Sequence, residues 1–219
     1  MAAIKAMPEA VLFDWDNTLV DTWPVIHESM NTTLAAMGHP EWTMEETRTR
    51  VRRSMREAFP EMFGDRWEEA RDIFYGRFDA IHLERLETCP GAEALIEALH
   101  GRGVYLGVVS NKMGHNLRKE AAHLGWERYF QRLVGASDAE RDKPDIAPVE
   151  LALSSGSISR GAAVWFVGDT AIDLECAYNA GCTGVLIREE PPGADEFGVH
   201  APVAHFESCA ALCELFATL

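Results

Sequence analysis

The chain has 219 residues, of which 47% are hydrophobic and 25% charged, and a formal net charge of −15. Its length allows one large core, or a core domain with a smaller inserted one, and its apolar share is ordinary for a soluble globular protein. So negative a chain argues strongly against nucleic acid or an anionic membrane as partner, because both require a basic surface.

No apolar run approaches the roughly 18 residues that a spanning helix needs. The first residues, "MAAIKAMPEAVLFDW", carry one lysine and then proline and glutamate, which is not a secretory pattern. A cytoplasmic location is expected.

The first element in chain order is a buried strand, "AVLFDW", at residues 10–15. Helical text follows over residues 19–89, with no convincing strand. "WPVIHESMNTTLAAMG" is amphipathic, "TMEETRTRVRRSMREAF" is rich in arginine, and "WEEARDIFYGRFDAIHLERL" is long and amphipathic. Thr43 followed by Glu46 fits a capping box.

Strands and helices then alternate. The strands are "VYLGVVSN", "RLVGAS", "AVWFVGD" and "TGVLI"; the helices are "GAEALIEALHGRG", "MGHNLRKEAAHLGW", "IAPVELALSSG" and "TAIDLECAYNAG". Such alternation implies an α/β fold with a parallel sheet covered on both faces, whose functional residues sit beyond the carboxyl ends of the strands. Five cysteines (Cys89, Cys176, Cys182, Cys209 and Cys213) match no zinc or redox spacing. Cys209 and Cys213 lie four apart with His200 and His205 upstream, and the plain reading is buried thiols on a terminal helix.

Four fragments bear chemistry. In "VLFDWDNTLVDT", Asp14 and Asp16 are two apart in extended backbone and face one side, while Trp15 packs the other way. Two carboxylates so close repel unless a cation neutralises them or one holds a proton. A hard cation such as Mg²⁺ suits oxygen ligands; one carboxylate can then attack phosphorus while the other moves protons. The alternative is that both merely cap the next turn.

"VVSNKMG" places Ser110, Asn111 and Lys112 at a strand-to-helix turn, which suits phosphate oxygens or a simple helix cap. "ERDKPDIAP" puts Lys143 in a loop. There it either cancels charge at an attacking carboxylate and phosphoryl oxygens or is solvated surface. "WFVGDTAIDLECA" ends a strand with Gly168 and Asp169, and Asp173, four residues on, shares its helix face.

In this order the four fragments resemble the haloacid dehalogenase superfamily of aspartate-nucleophile phosphotransferases, over nearly the whole chain. The resemblance implies a Rossmann-like parallel-sheet core at residues 1–20 and 90–219 and an inserted α-helical cap at 21–89, as in the phosphoglycolate phosphatase-like branch. It implies that Asp14 is the nucleophile and Asp16 the general acid and base. Ser110 and Lys143 would hold the transferring phosphoryl group, with the backbone of Asn111 assisting. Mg²⁺ would be bound by Asp14, the carbonyl of Asp16 and Asp169, with Asp173 as ligand or in the surrounding shell.

Asn17 stands where the family often has glycine, and asparagine tolerates left-handed backbone. Asp16 favours phosphoester chemistry, since the true dehalogenases of this fold lack the second carboxylate.

The cap is expected to decide the substrate. "RTRVRRSMR" holds five arginines, of which Arg52 and Arg53 stand nearest the place where family caps approach the active site. One of them facing inward would attract an anionic substrate against the negative field of the protein. The alternative is a solvated helix face with arginines paired to Glu45 and Glu46.

The expected activity is Mg²⁺-dependent hydrolysis of a small phosphorylated metabolite through an aspartyl-phosphate, phosphoglycolate being the best single substrate, by a monomer or homodimer. A β-phosphoglucomutase-like sugar-phosphate mutase, a pyrophosphatase or a nucleotidase on the same fold are the enzymatic alternatives. A binding protein without catalysis is the alternative from another class. A dinucleotide-binding oxidoreductase fails, because the glycines of "GRGVYLG" precede a strand instead of following one.

Overall fold

The computed structural model describes residues 6–51 and 55–219, leaving aside the side chains of residues 55–57. Two units divide the chain: Met1–Val20 with Thr88–Leu219, and Asp21–Glu87. The first begins with β1 (Ala10–Phe13). The two crossings between units carry β2 (Val20–Asp21) and β3 (Glu87–Thr88), strands of two residues that pair with each other. β4 (Tyr105–Met113), β5 (Arg132–Ala136), β6 (Val164–Gly168), β7 (Thr183–Ile187) and β8 (Ala204–Phe206) follow. With β1 they form one sheet in the order β5-β4-β1-β6-β7-β8, every pair parallel.

The second unit is helical: α1 (Trp23–Ala36), α2 (Met44–Arg50), α3 (Met55–Phe63) and α4 (Trp67–Ile81). It has an apolar core of its own, in which Phe59 meets Phe63 and Phe74 edge to face and Phe74 stacks on Phe78. The Thr43–Glu46 capping box is formed: the Thr43 hydroxyl accepts from the Glu46 N–H, and Glu46 accepts from the Thr43 N–H.

The single arginine-rich helix expected over 43–59 is instead two. α2 stops because Val51 leaves helical backbone, at ψ 71°. Arg50 pairs with Glu46 and lies over Trp42, and Arg48 lies over Trp23. Arg52 and Arg53 lie outside the described residues.

The first unit's helices are α5 (Ala92–Gly101), α6 (Gly114–His123), α7 (Ala147–Leu153), α8 (Ala171–Ala180) and α9 (Cys209–Thr218). Every residue of β1 is fully buried, which is what a central parallel strand covered on both faces requires. The buried thiol of Cys209 donates to the Thr18 carbonyl at 3.2 Å, so it belongs to the packing.

Register sets the site. Phe13 lies opposite both Val108 and Val167. Asp14, Ser110 and Asp169 therefore emerge one or two residues past a common level, at the carboxyl edge of three adjacent strands.

Candidate active site

Asp14 leaves β1 with its N–H donating to the Val167 carbonyl at 2.8 Å, which fixes its backbone against β6. Trp15, next in line, is fully buried and meets Trp126 and Phe130 edge to face. The chain then turns through Asn17, at φ 59°, the left-handed backbone that asparagine accepts at low cost.

Lys143 is no solvated loop lysine. It is buried, and its Nζ lies 2.7 Å from Asp14 Oδ1 and 2.6 Å from Asp173 Oδ1. Its loop is gripped by Asn111, whose Oδ1 accepts from the Lys143 N–H at 3.0 Å and whose Nδ2 donates to the Lys143 carbonyl at 3.1 Å. The side chain of Asn111 thus holds Lys143 in place, a role the sequence did not suggest. Ser110 is buried, and its hydroxyl oxygen accepts from the Lys112 N–H at 3.2 Å.

Asp169 and Asp173 come together by a route other than a shared helix face. Asp169 precedes α8, whose first turn begins at Ala171. Asp173 bends back over it: Oδ2 accepts from the Thr170 N–H at 3.0 Å and the Thr170 hydroxyl at 2.7 Å. Gly168 makes room for this, because a Cβ there would collide with the Asp173 side chain. Thr18 donates to Asp169 Oδ1 at 3.4 Å.

One oxygen from each of Asp14, Asp169 and Asp173 lies within 4.8 Å of the others. Burial raises the Asp14 carboxyl to about 6; Lys143 opposes that rise, while Asp173 and Asp16 reinforce it. Burial, then Asp173 and Asp14, push Asp169 well above the ordinary carboxylate range. Burial would depress Lys143, but Asp14 and Asp173 outweigh it and hold the ammonium above the usual lysine range. Three clustered carboxylates, two of them paired with Lys143, thus form an all-oxygen donor set. Those residues fit a hard divalent cation.

Asp16's carboxylate stands apart from that cluster and pairs with Lys112, whose Nζ lies 2.7 Å from Oδ1. Lys112 also lies 3.0 Å from Glu120 Oε1, and the Trp15 indole donates to Glu120 Oε2 at 2.7 Å. Sequence reading left Lys112 unassigned and overlooked Glu120. The two-residue spacing of Ser110 and Lys112 in a strand was the available signal, since side chains two apart in a strand share a face.

Known proteins resemble this chain in sequence and in fold. The family model for haloacid dehalogenase-like hydrolases matches residues 11–187. A phosphoglycolate phosphatase of Rhodobacter capsulatus is 26% identical over 190 residues, covering 84% of this chain and 85% of that protein. A pyrophosphatase of Listeria innocua is 30% identical over 172 residues, covering 78% of each. Among solved structures, a haloacid dehalogenase-like hydrolase of Streptococcus pneumoniae superposes with a TM-score of 0.84 at 21% identity, over 96% of this chain and 98% of that one. With a match that runs from β1 to the end of β7, the chain belongs to the haloacid dehalogenase-like hydrolases.

Proposed function

We propose that the protein is a Mg²⁺-dependent phosphomonoesterase that acts on a small phosphorylated metabolite through an aspartyl-phosphate at Asp14. The observation that carries this reading is the pairing of two carboxylates with two buried lysines, Asp14 with Lys143 and Asp16 with Lys112. Each carboxylate has its own cation, and each can then do a different task.

An Asp14 carboxylate oxygen attacks phosphorus and the bond from phosphorus to the ester oxygen breaks. Asp16 gives its proton to that departing oxygen. Asp16 then takes a proton from water, whose oxygen attacks phosphorus, and the bond to Asp14 breaks to release inorganic phosphate. Ser110 and Lys143 bind the phosphoryl oxygens throughout, and Asn111 keeps Lys143 there. A Mg²⁺ ion held by Asp14, Asp169 and the carbonyl of Asp16, with Asp173 supporting, would neutralise charge on the transferring group.

Phosphoglycolate is the first substrate to test, in keeping with the relative from Rhodobacter capsulatus, and pyrophosphate the second, in keeping with the one from Listeria innocua. Substrate choice is assigned to the inserted helical unit by the family resemblance. Arg52→Ala and Arg53→Ala test that assignment through KM for an anionic substrate.

The deciding experiment is phosphate release from a panel of phosphorylated metabolites with Mg²⁺, for wild type and Asp14→Asn. Release that vanishes in the variant supports the reading. Release that persists in Asp14→Asn, or isomerised product with little free phosphate, rejects it.

A further inference from the structure

Lys112 and Glu120 are both buried, at 5% and 1% side-chain exposure, whereas Asp16 is 27% exposed. The three carboxylate and ammonium groups form one line: Asp16 to Lys112 at 2.7 Å, Lys112 to Glu120 at 3.0 Å. Trp15 closes the line from behind by donating to the other Glu120 oxygen, and Trp15 is itself wedged between Trp126 and Phe130.

Such burial is a poor way to gain stability. Removing two charges from water is costly, and apolar replacements of similar volume are often as stable or more so. The arrangement makes better sense as a device for orientation. The register of β4 against β5 shifts between Val109 and Met113, an irregularity of the kind that re-aims side chains beside active sites. It spans both Ser110 and Lys112, which are buried while Asn111 and Met113 between and beyond them are exposed. The same strand end thus presents a hydroxyl for the phosphoryl group and an ammonium for the proton-transferring carboxylate.

We propose that Lys112 and Glu120 are positioning residues for Asp16: Lys112 grips its carboxylate, and Glu120, locked by the Trp15 indole, fixes Lys112. This rests on the phosphomonoesterase reading above and adds two residues to it. Neither would touch substrate. Their effect should appear only where Asp16 matters, in proton delivery to the departing oxygen. An alkoxide leaves poorly without a proton, whereas p-nitrophenolate leaves without help.

The test measures kcat/KM, which reports the first phosphoryl transfer, on two substrates: the alkyl phosphate that wild type hydrolyses best, and p-nitrophenyl phosphate. The variants are Lys112→Met, Lys112→Met with Glu120→Gln, Asp16→Asn, and Asp16→Asn with Lys112→Met. The Glu120→Gln partner avoids a stranded buried charge and still accepts from Trp15, so the test survives if Lys112→Met alone fails to fold.

The expected result is a loss of about 10²-fold on the alkyl ester against only a few-fold on the aryl ester, the general-acid share alone being lost. Within the Asp16→Asn background, Lys112→Met should cost less than about twofold further on the alkyl ester, because residues acting as a unit are not additive. Equal losses on both esters, or a full further loss in the Asp16→Asn background, would overturn the positioning role while leaving the phosphatase reading standing. A wild type that releases phosphate from neither ester overturns that reading and the inference with it.

Discussion

Asn111 and Lys143, 32 residues apart, clasp each other through both backbone groups of the lysine, at 3.0 and 3.1 Å. Asn111→Ala removes both hydrogen bonds and frees the loop that holds Lys143 between Asp14 and Asp173. Stability should fall by about 1–3 kcal/mol. Phosphate release should fall about tenfold or more, since small misplacements of a positioned group are costly. Thermal melting and kcat measured side by side check this; unchanged kcat in a folded Asn111→Ala protein would show that Lys143 holds its place without the clasp.

Lys143→Met strips the ammonium from three clustered carboxylates. Removing one partner of a buried ion pair costs about 3–5 kcal/mol. Loss of its charge from the transferring phosphoryl group should lower kcat by about 10²–10³ or more. Added Mg²⁺ should recover part of the stability but not the rate. Melting curves with and without Mg²⁺ separate the two effects.

Stability without a divalent cation should depend on pH through Asp14, whose carboxyl is raised from 3.8 to about 6 mainly by burial. A carboxyl with a raised folded pKa takes up a proton on folding within that window. Its contribution is greatest below about pH 4 and is lost as the pH rises toward 6. A bound cation replaces that proton, so Mg²⁺ should raise Tm more at about pH 7.5 than at about pH 5. In Asp14→Asn the difference between the two pH values should shrink. Equal shifts at both pH values in wild type would contradict the assignment of Asp14 as a ligand.

Gly168→Ala places a methyl group where the Asp173 carboxyl folds back. The strand end and the helix start cannot separate without losing the Asp173 bonds to Thr170 and Lys143. A destabilisation of about 1–3 kcal/mol is expected, together with weaker Mg²⁺ binding. Isothermal titration with Mg²⁺ reads the second effect, and wild-type affinity in this variant would mean that Asp173 adapts.

Much of this architecture was legible in the sequence, for identifiable reasons. Five of the six strands of the main sheet announce themselves as apolar runs because a parallel strand buried on both faces admits little else. Ala204–Phe206 did not: three residues at the sheet edge, half-buried and carrying His205, make no periodic signal. β2 and β3 were invisible for the same reason of length.

In the site, Asp14 and Asp169 stood out as acids at strand ends, and Asp173 as an acid in the helix turn that follows. Lys143 stood out only through the order of motifs, since nothing in "RDKPD" distinguishes a buried lysine from a solvated one. Glu120 was hidden inside an ordinary helical pattern, and its hydrogen-bond donor Trp15 is 105 residues away. Long-range contacts of this kind leave no local trace.

β1 carries Asp14 and sits in the middle of the sheet, yet both of its neighbours, β4 and β6, come later in the chain than the whole helical unit. During synthesis from the amino end, β1 is made before both of its partners and must wait, with its apolar residues unpaired, until residues 105–168 have emerged. The helical unit has a complete core of its own and can form in that interval. Its compact fold shortens the loop that β1 must close to reach β4. The inserted unit thereby helps assemble the catalytic sheet, in addition to any part it plays in choosing a substrate.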